Sequence, residues 1–152
     1  MSESSDLTSP LVKAISFTVY CTPTPQGSMK AFSYMKGGKP RASITSDNKK
    51  LKPYRQEVAQ TALEAISKAG YDRPMFGKHV PVAMTMRCYF RRPPSIPKKR
   101  TEMVVKPDLS KLLRATEDAL TGIVYNDDAQ IVAHVTEKHY DGVERVEITV
   151  AQ

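Results

Sequence analysis

The sequence of 152 residues has no tryptophan, two cysteines, three histidines and only 7% aromatic residues. It contains no apolar run near the ~20 residues that span a bilayer, so we expect no membrane association. The N-terminal residues also lack the basic start and following apolar stretch of a secretory signal, so we expect none. Cys21 and Cys88 lie in alternating apolar segments without a zinc spacing. This pattern predicts buried thiols in a reducing compartment, here the cytoplasm.

Two further absences narrow the function. The sequence contains no glycine-rich loop ending in Lys-Ser or Lys-Thr, so we expect no nucleotide cofactor. It also lacks the Gly-x-Ser-x-Gly pattern of a nucleophile elbow. With 40% hydrophobic residues the chain can still bury a core, and its length suits one domain.

Positive charge is concentrated in two segments. The formal net charge is +7, yet residues 30–55 carry eight basic residues and one acidic residue, and residues 87–106 carry seven and one. The rest of the chain is therefore net negative, a distribution that favours a polyanion bound to one surface over a general solvated basic face. The candidate DNA-binding residues are Lys30, Lys36, Lys39, Arg41, Lys49, Lys50, Arg91, Arg92, Lys98, Lys99 and Arg100.

Hydrophobic periodicity predicts an α+β domain. Four segments alternate between apolar and polar residues, as strands with one buried face do. These segments are 11–21, 80–90, 131–135 and 146–150. Segments 53–69 and 109–123 repeat apolar residues at helical spacing. The order strand, helix, strand, helix, strand, strand predicts a single domain around a small mixed sheet over 11–152, after a disordered tail at 1–10.

The connections carry clear loop signals. Proline, glycine and lysine predict loops at 22–47 and 92–107, the first with room for a hairpin at Gly37-Gly38. Asp141-Gly142 predicts a two-residue hairpin between the last two strands.

The strand that begins near Ile131 shows a defined parity. Ile131 and Val135 share one parity, and His134 and Lys138 share the other. We therefore expect His134 and Lys138 to point away from the apolar face, with a solvated histidine as the default.

Three aspartates are candidate metal ligands. Asp108 precedes the second predicted helix, and Asp127 and Asp128 precede the following strand, so carboxylates from separate elements can converge. Mg²⁺ is held by a few carboxylates together with waters and phosphate oxygens, and it can activate water for phosphodiester hydrolysis. Lys111 and Arg114, on the polar face of the helix, are candidates to contact phosphate or stabilise the transition state.

The same residues also have ordinary structural explanations. Asp108 stands where a helix N-cap is expected. Asp127 and Asp128 suit the composition of a turn. Arg114 and Asp118 have the i, i+4 spacing of a surface ion pair. From the residues alone, both explanations remain open.

The stretch from 106 to 132 resembles the RusA family of Holliday-junction resolvases. That family shows an Asp-x-Asp-Asn opening, a Lys or Arg on the next turn, an Asp-Ala-Leu and an Asp-Asp-x-Gln-Val type of ending. This chain has Asp108-Leu-Ser-Lys, Arg114, Asp118-Ala-Leu and Asp127-Asp-Ala-Gln-Ile. Thr22-Pro-Thr-Pro-Gln-Gly-Ser-Met-Lys and Asn48-Lys-Lys-Leu-Lys-Pro-Tyr-Arg are similar to the phage branch. The resemblance covers residues 12–150.

The resemblance implies a homodimeric, Mg²⁺-dependent endodeoxyribonuclease, with Mn²⁺ as a substitute, that resolves four-way junctions in recombination, repair or phage DNA processing. It implies that Asp108 and Asp128 bind the metal, that Asp127 assists and that Arg114 is the basic catalytic residue, with Lys111 beside it. Ser110 stands where the family has a second Asp. A hydroxyl can ligate Mg²⁺ but adds no charge. The alternative is a branched-DNA-binding protein of the same fold without catalysis.

Overall fold

A computed structural model of the chain describes residues 12–27, 29–46 and 49–152, and the predicted tail at 1–10 lies outside them. The described residues form six strands and two helices. In chain order these are β1 (Ala14–Val19), β2 (Met29–Lys36), β3 (Lys39–Ser46), α1 (Leu51–Lys68), β4 (Val82–Phe90), α2 (Leu109–Leu120), β5 (Ile131–Tyr140) and β6 (Arg145–Ala151). A 3₁₀ turn, Asp128–Gln130, precedes β5. Neither described helix is both long and apolar enough to cross a membrane.

Four of these strands form one mixed sheet in the order β1–β6–β4–β5. β6 runs antiparallel to both of its neighbours, and β4 and β5 run parallel. A parallel pair needs a long crossover connection, which α2 and its flanking loops supply. The predicted α+β domain around a small mixed sheet is therefore confirmed.

One apolar face of this sheet forms the core. The inward residues of β4 alternate as predicted and are all buried: Val82, Met84, Met86, Cys88 and Phe90. Both helices contribute to the same hydrophobic cluster, α1 through residues such as Val58 and Ile66 and α2 through Leu112 and Leu120. α1 contacts β1 and α2, and α2 contacts β5. This packing fixes the start of α2 relative to the sheet.

The predicted loop at 22–47 contains the hairpin that Gly37-Gly38 suggested, but more of it is strand than expected. β2 and β3 pair antiparallel from Met29↔Ser46 to Lys36↔Lys39, so a two-stranded hairpin occupies 29–46. The hairpin turns at Gly37 and Gly38, as expected there, with φ angles of 63° and 75°. A two-residue turn of this kind needs positive φ at both positions, which two glycines supply without strain. The proline, glycine and lysine content of this segment is typical of a loop and gives no sign of the two strands that flank the turn.

The predicted hairpin at Asp141-Gly142 is wrong. β5 and β6 lie on opposite sides of β4 and do not pair with each other. Residues 141–144 cross the end of β4, where Asp141 N donates to Phe90 O at 2.8 Å and Arg91 N donates to Glu144 Oε2 at 3.1 Å. Two strand spacings are about 10 Å, which four residues can span. The local turn signal does not reveal whether a strand lies between the two ends.

A bulge at the start of β5 reverses the predicted parity of that strand. Val82 pairs with Ile131, but the next residue, Ala83, pairs with Ala133, so β5 carries one extra residue. Beyond the bulge, Lys138 lies opposite the inward-facing Cys88. A one-residue shift moves every later side chain to the other face. His134 is exposed as predicted, but Lys138 is half-buried on the side of the helices.

Candidate active site

Asp108 occupies the N-cap position of α2, but its carboxylate makes no capping hydrogen bond. Its backbone is extended, with φ −71° and ψ 140°, as an N-cap residue requires. The residue is exposed. Asp108 therefore has the backbone conformation of an N-cap residue. Its carboxylate oxygens do not cap the helix and can take part in another interaction.

A cavity of about 560 Å³ opens beside Asp108. Its walls include the loop 22–27, Lys106 and Lys111. Gln26 N donates to Lys111 O at 2.9 Å, which ties that loop to the first turn of α2. The volume lies within the usual range for ligand sites. Lysine side chains around one carboxylate can receive a phosphate group together with a cation.

The second aspartate pair lies on the 3₁₀ turn before β5. Asp127 Oδ1 accepts a hydrogen bond from Ala129 N at 2.9 Å. Gln130 Oε1 accepts in return from Asn126 N and Asp127 N, each at 2.8 Å, which completes a capping box. The turn explanation is thus confirmed for Asp127, one of whose carboxylate oxygens caps this turn.

Gln130 has a structural role that the sequence interpretation missed. Its Nε2 donates to Gly77 O at 2.8 Å and to Val80 O at 3.0 Å, so it also ties the turn to the segment before β4. The sequence does contain a signal for this role, because Asp127 and Gln130 have the spacing of a capping box.

Asp128, on the same turn, has a carboxyl group whose pKa is shifted. Burial raises the pKa of Asp128 above its usual value, and Asp127 raises it further through a hydrogen bond and its negative charge. Arg114 opposes this rise, whereas the charge of Asp118 adds to it. The charges of Asp127 and Arg114 thus both act on the Asp128 carboxyl. Carboxylates held this close repel one another, and a bound cation relieves that repulsion.

Glu117 is a further acidic residue near Asp128 that the sequence interpretation did not select. Burial raises the pKa of Glu117, the charge of Asp128 raises it further, and His134 and Arg114 lower it. The bulge in β5 explains the proximity of His134, because it places that residue on the helix side of the sheet. The sequence offered only a weak signal, the i, i+3 spacing of Arg114 and Glu117.

Asp118 pairs with α1 instead of with Arg114. Its carboxylate lies 2.9 Å from the Arg55 guanidinium, which also donates to Gln26 Oε1 at 2.8 Å. The surface pair suggested by the i, i+4 spacing is therefore replaced by a tertiary contact. This contact joins both helices to the loop that lines the cavity.

Comparison with known proteins identifies the family. The model of the endodeoxyribonuclease RusA family matches residues 21–151. This chain belongs to the RusA endodeoxyribonuclease family. A Bacillus subtilis (strain 168) protein named "Uncharacterized protein YqaN" is 30% identical in an alignment that covers 91% of this chain and 96% of that protein. The resemblance of residues 106–132 to RusA is thus confirmed, and the family is one of DNA-cutting enzymes.

The candidate ligands in this chain are carboxylates and a hydroxyl, which are oxygen donors of the kind that a hard divalent cation binds. Mg²⁺ usually takes one or two carboxylates from the protein and completes its shell with waters and phosphate oxygens. Asp108 and Asp128 offer such carboxylates, and Ser110, exposed in the first turn of α2, offers a hydroxyl. Across residues 12–27, 29–46 and 49–152, no three His, Cys, Asp or Glu side chains are placed to hold a metal ion. The metal roles of Asp108, Asp127, Asp128 and Ser110 stay predictions.

The candidate DNA-binding residues of this RusA-family protein fall into two groups. Lys30, Lys36 and Arg41 lie on β2 and β3, and their side chains lie outside the described part of the structure. The remaining candidates have described side chains, and all of them except Arg92 are exposed. They are Lys39, Lys49, Lys50, Arg91, Lys98, Lys99 and Arg100.

Arg92 differs from its neighbours because its side chain bonds to the backbone of the segment 98–100. Its guanidinium donates to Lys98 O at 3.1 Å and to Arg100 O, and it lies over the Tyr140 ring at 5.4 Å from the centroid. These contacts shape the segment that presents Lys98 and Lys99. The structure thus gives Arg92 an internal role in this segment.

Proposed function

We propose that this protein is a divalent-metal-dependent endonuclease that resolves four-way DNA junctions by paired nicks. The observation that carries the proposal is the position of Asp108. Its carboxylate stands at the N-terminus of α2, is not used as a cap and borders a cavity walled by lysines. Membership of the RusA family supports a nuclease acting on branched DNA.

In this proposal Asp108 and Asp128 would hold Mg²⁺ or Mn²⁺, and Ser110 and Asp127 would add the remaining protein ligands. Such an ion, when bound, would supply the chemistry that lowers the pKa of a water molecule and offsets negative charge on the phosphate. Lys111 contacts the scissile phosphate from the wall of the cavity. Arg114 stabilises the negative charge that develops on the phosphate oxygens, because a guanidinium pairs well with such groups.

A dimer and a basic surface complete the proposed function. One carboxylate site can cut one strand, whereas resolution needs two nicks related by the two-fold pseudo-symmetry of the junction. A two-fold homodimer supplies the second site. The exposed basic residues at 49–50 and 98–100 would follow the phosphate backbones near the crossover. The two free thiols, Cys21 and Cys88, suit a reducing cytoplasm.

A nicking assay tests this function. A labelled synthetic four-way junction and a matched linear duplex are incubated with the protein in Mg²⁺, Mn²⁺ or EDTA. We expect paired symmetric nicks on the junction only, and none in EDTA. Asp108→Asn and Asp128→Asn should abolish nicking while junction binding persists. Asp72→Asn, which changes an exposed aspartate between α1 and β4, is the matched control and should keep full activity.

Two results would contradict the proposal. Turnover that survives in both active-site variants would show that the site lies elsewhere. Equal cleavage of the junction and the linear duplex would show a nuclease without junction selectivity.

Ser110 favours a second candidate function, a branched-DNA-binding protein without catalysis. The residue is exposed in the first turn of α2 but brings no negative charge to the site. This function requires tight junction binding with no product in any divalent metal. Ser110→Asp would then be expected to produce cleavage, since it adds the carboxylate that the family pattern has at this position.

A further inference from the structure

The side chain of Lys138 extends from β5 to the segment that carries Asp108. Its Nζ donates hydrogen bonds to Val105 O at 2.6 Å and to Pro107 O at 2.9 Å. Lys138 lies 33 positions after Val105 and 31 after Pro107 in the sequence, so these are tertiary contacts. Pro107 directly precedes Asp108, and fixing its carbonyl fixes where the backbone enters α2.

The two hydrogen bonds of Lys138 matter because its side chain is partly removed from water. Lys138 is half-buried and lies opposite Cys88, whose side chain is fully buried. An ammonium group that loses water must regain hydrogen-bond partners. The two carbonyl oxygens are such partners. None of the salt bridges among the described side chains involves Lys138, so its charge is balanced here by backbone dipoles.

The segment held by Lys138 has little regular structure of its own. Residues 101–107 form neither helix nor strand, and buried Met103 anchors their middle part in the core. The place of Asp108 therefore depends on tertiary contacts before α2 begins. Lys138 supplies two of them, within three residues of the carboxylate that borders the cavity.

We propose that Lys138 is a positioning residue for the Asp108 carboxylate. β5 then connects both parts of the candidate site, because it starts directly after the turn that bears Asp128 and its Lys138 holds the segment before Asp108. The proposal rests on the proposed function, since the place of Asp108 affects cleavage only if Asp108 takes part in it. In this role Lys138 acts through the backbone before Asp108 and is not itself a ligand of the metal or a contact to DNA.

The test compares Lys138→Met, which keeps the aliphatic length and removes the donors, with Lys68→Met, which changes an exposed lysine at the end of α1. Three readouts are taken on the full chain: Mn²⁺ affinity without DNA by electron paramagnetic resonance, kcat and KM for junction nicking, and hydrogen exchange of peptides covering 105–112. Supporting groups around metal ligands typically contribute about 10–100-fold to metal affinity or activity. We expect such a loss in kcat or Mn²⁺ affinity, an unchanged KM and faster exchange at 105–112 in Lys138→Met alone.

A charge-keeping variant separates positioning from general stability. Lys138→Arg keeps N–H donors and should recover part of the activity and slow the exchange again. If thermal unfolding shows that Lys138→Met does not fold, Lys138→Gln, which keeps an N–H donor on a shorter side chain, takes its place. We then expect the same direction of change with a smaller size.

Several outcomes would overturn the positioning role. Wild-type kcat and Mn²⁺ affinity in Lys138→Met would do so, and so would a rise in KM alone, which would make Lys138 a DNA contact. If the wild-type protein makes no nicks, the proposed function fails, but Mn²⁺ affinity and hydrogen exchange still decide the role of Lys138. Unchanged exchange at 105–112 would then refute it.

Discussion

The guanidinium of Arg55 on α1 lies 2.9 Å from the carboxylate of Asp118 on α2. The same Arg55 nitrogen donates to Gln26, so one side chain joins two helices and the loop that lines the cavity. Arg55 Nε is buried without a hydrogen-bond partner among the described residues, which offsets part of what the pair contributes.

We predict that this ion pair contributes little to stability. Both side chains are about one third exposed, at 34% and 31%, so solvent screens their attraction. A double-mutant cycle with Arg55→Met and Asp118→Asn should give a coupling energy of about 0.5 kcal/mol in urea unfolding. A coupling of several kcal/mol would show that the pair is effectively buried.

Replacing Gln130 should destabilise the protein more than replacing any exposed glutamine. Its side chain accepts from two backbone N–H groups and donates to two carbonyls, and only 9% of its surface is exposed. Gln130→Ala leaves these groups without partners and should cost about 2–3 kcal/mol in the free energy of unfolding. Gln60→Ala on the exposed side of α1 is the control, and a similar small effect of both changes would contradict the prediction.

Stability should fall at high pH because folding raises the pKa of both cysteine thiols. Burial raises the pKa of Cys88 from 9.0 to about 12, and burial together with the charges of Glu57 and Glu144 raises the pKa of Cys21 to about 11. The unfolded chain releases these protons first, so unfolding becomes more favourable as pH rises above about 9 toward the folded-state values. Urea titrations between pH 8 and 11 should show this loss, and Cys88→Ala should reduce its pH dependence.

Thiol labelling at pH 8 gives a second measurement of the same groups. Because the thiolate is the reactive form, both cysteines should react slowly with a thiol reagent in the folded protein and rapidly in denaturant. Fast labelling of Cys88 in the native state would contradict its burial.

The basic segment 98–100 should contribute to DNA binding through charge alone. Its side chains are exposed, and each phosphate contact that is lost should reduce the slope of log K against log salt by about 0.9. We therefore expect the triple change Lys98→Ala, Lys99→Ala and Arg100→Ala to weaken junction and duplex binding alike and to flatten the salt dependence. An unchanged slope would place the phosphate contacts elsewhere, and Lys68→Ala serves as the control.

The sequence predicts the regular parts of the fold because local patterns determine them. The alternation of β4 and the apolar stripe of α2 lead directly to the buried faces. α1 begins at Leu51 and not at Pro53, since proline is tolerated anywhere in the first turn. The order of strands in the sheet and the bulge in β5 depend on pairing with β4, and no local pattern encodes them.

For the candidate site, the sequence finds the acidic residues but not what surrounds them. Asp108 and Asp128 follow from their positions and from the family pattern. Glu117 and Lys138 were missed, because their importance comes from neighbours that are distant in sequence. The parity of β5 even predicted a solvent-facing Lys138, and only the bulge corrects it.

The bulge also determines how this region can change length. Asp128 and Lys138 are ten residues apart, and one of the intervening residues, Val132, is the surplus residue between two ladder pairs. Loss of one residue here would produce a regular ladder and leave Lys138 opposite Cys88, whereas an insertion would need a second irregularity. Asp128 and Lys138 can therefore keep the same relative positions at a spacing of ten residues with a bulge or nine residues without one. A gap of one residue in an alignment of related chains belongs at Val132, inside the strand, and not in the flanking loops.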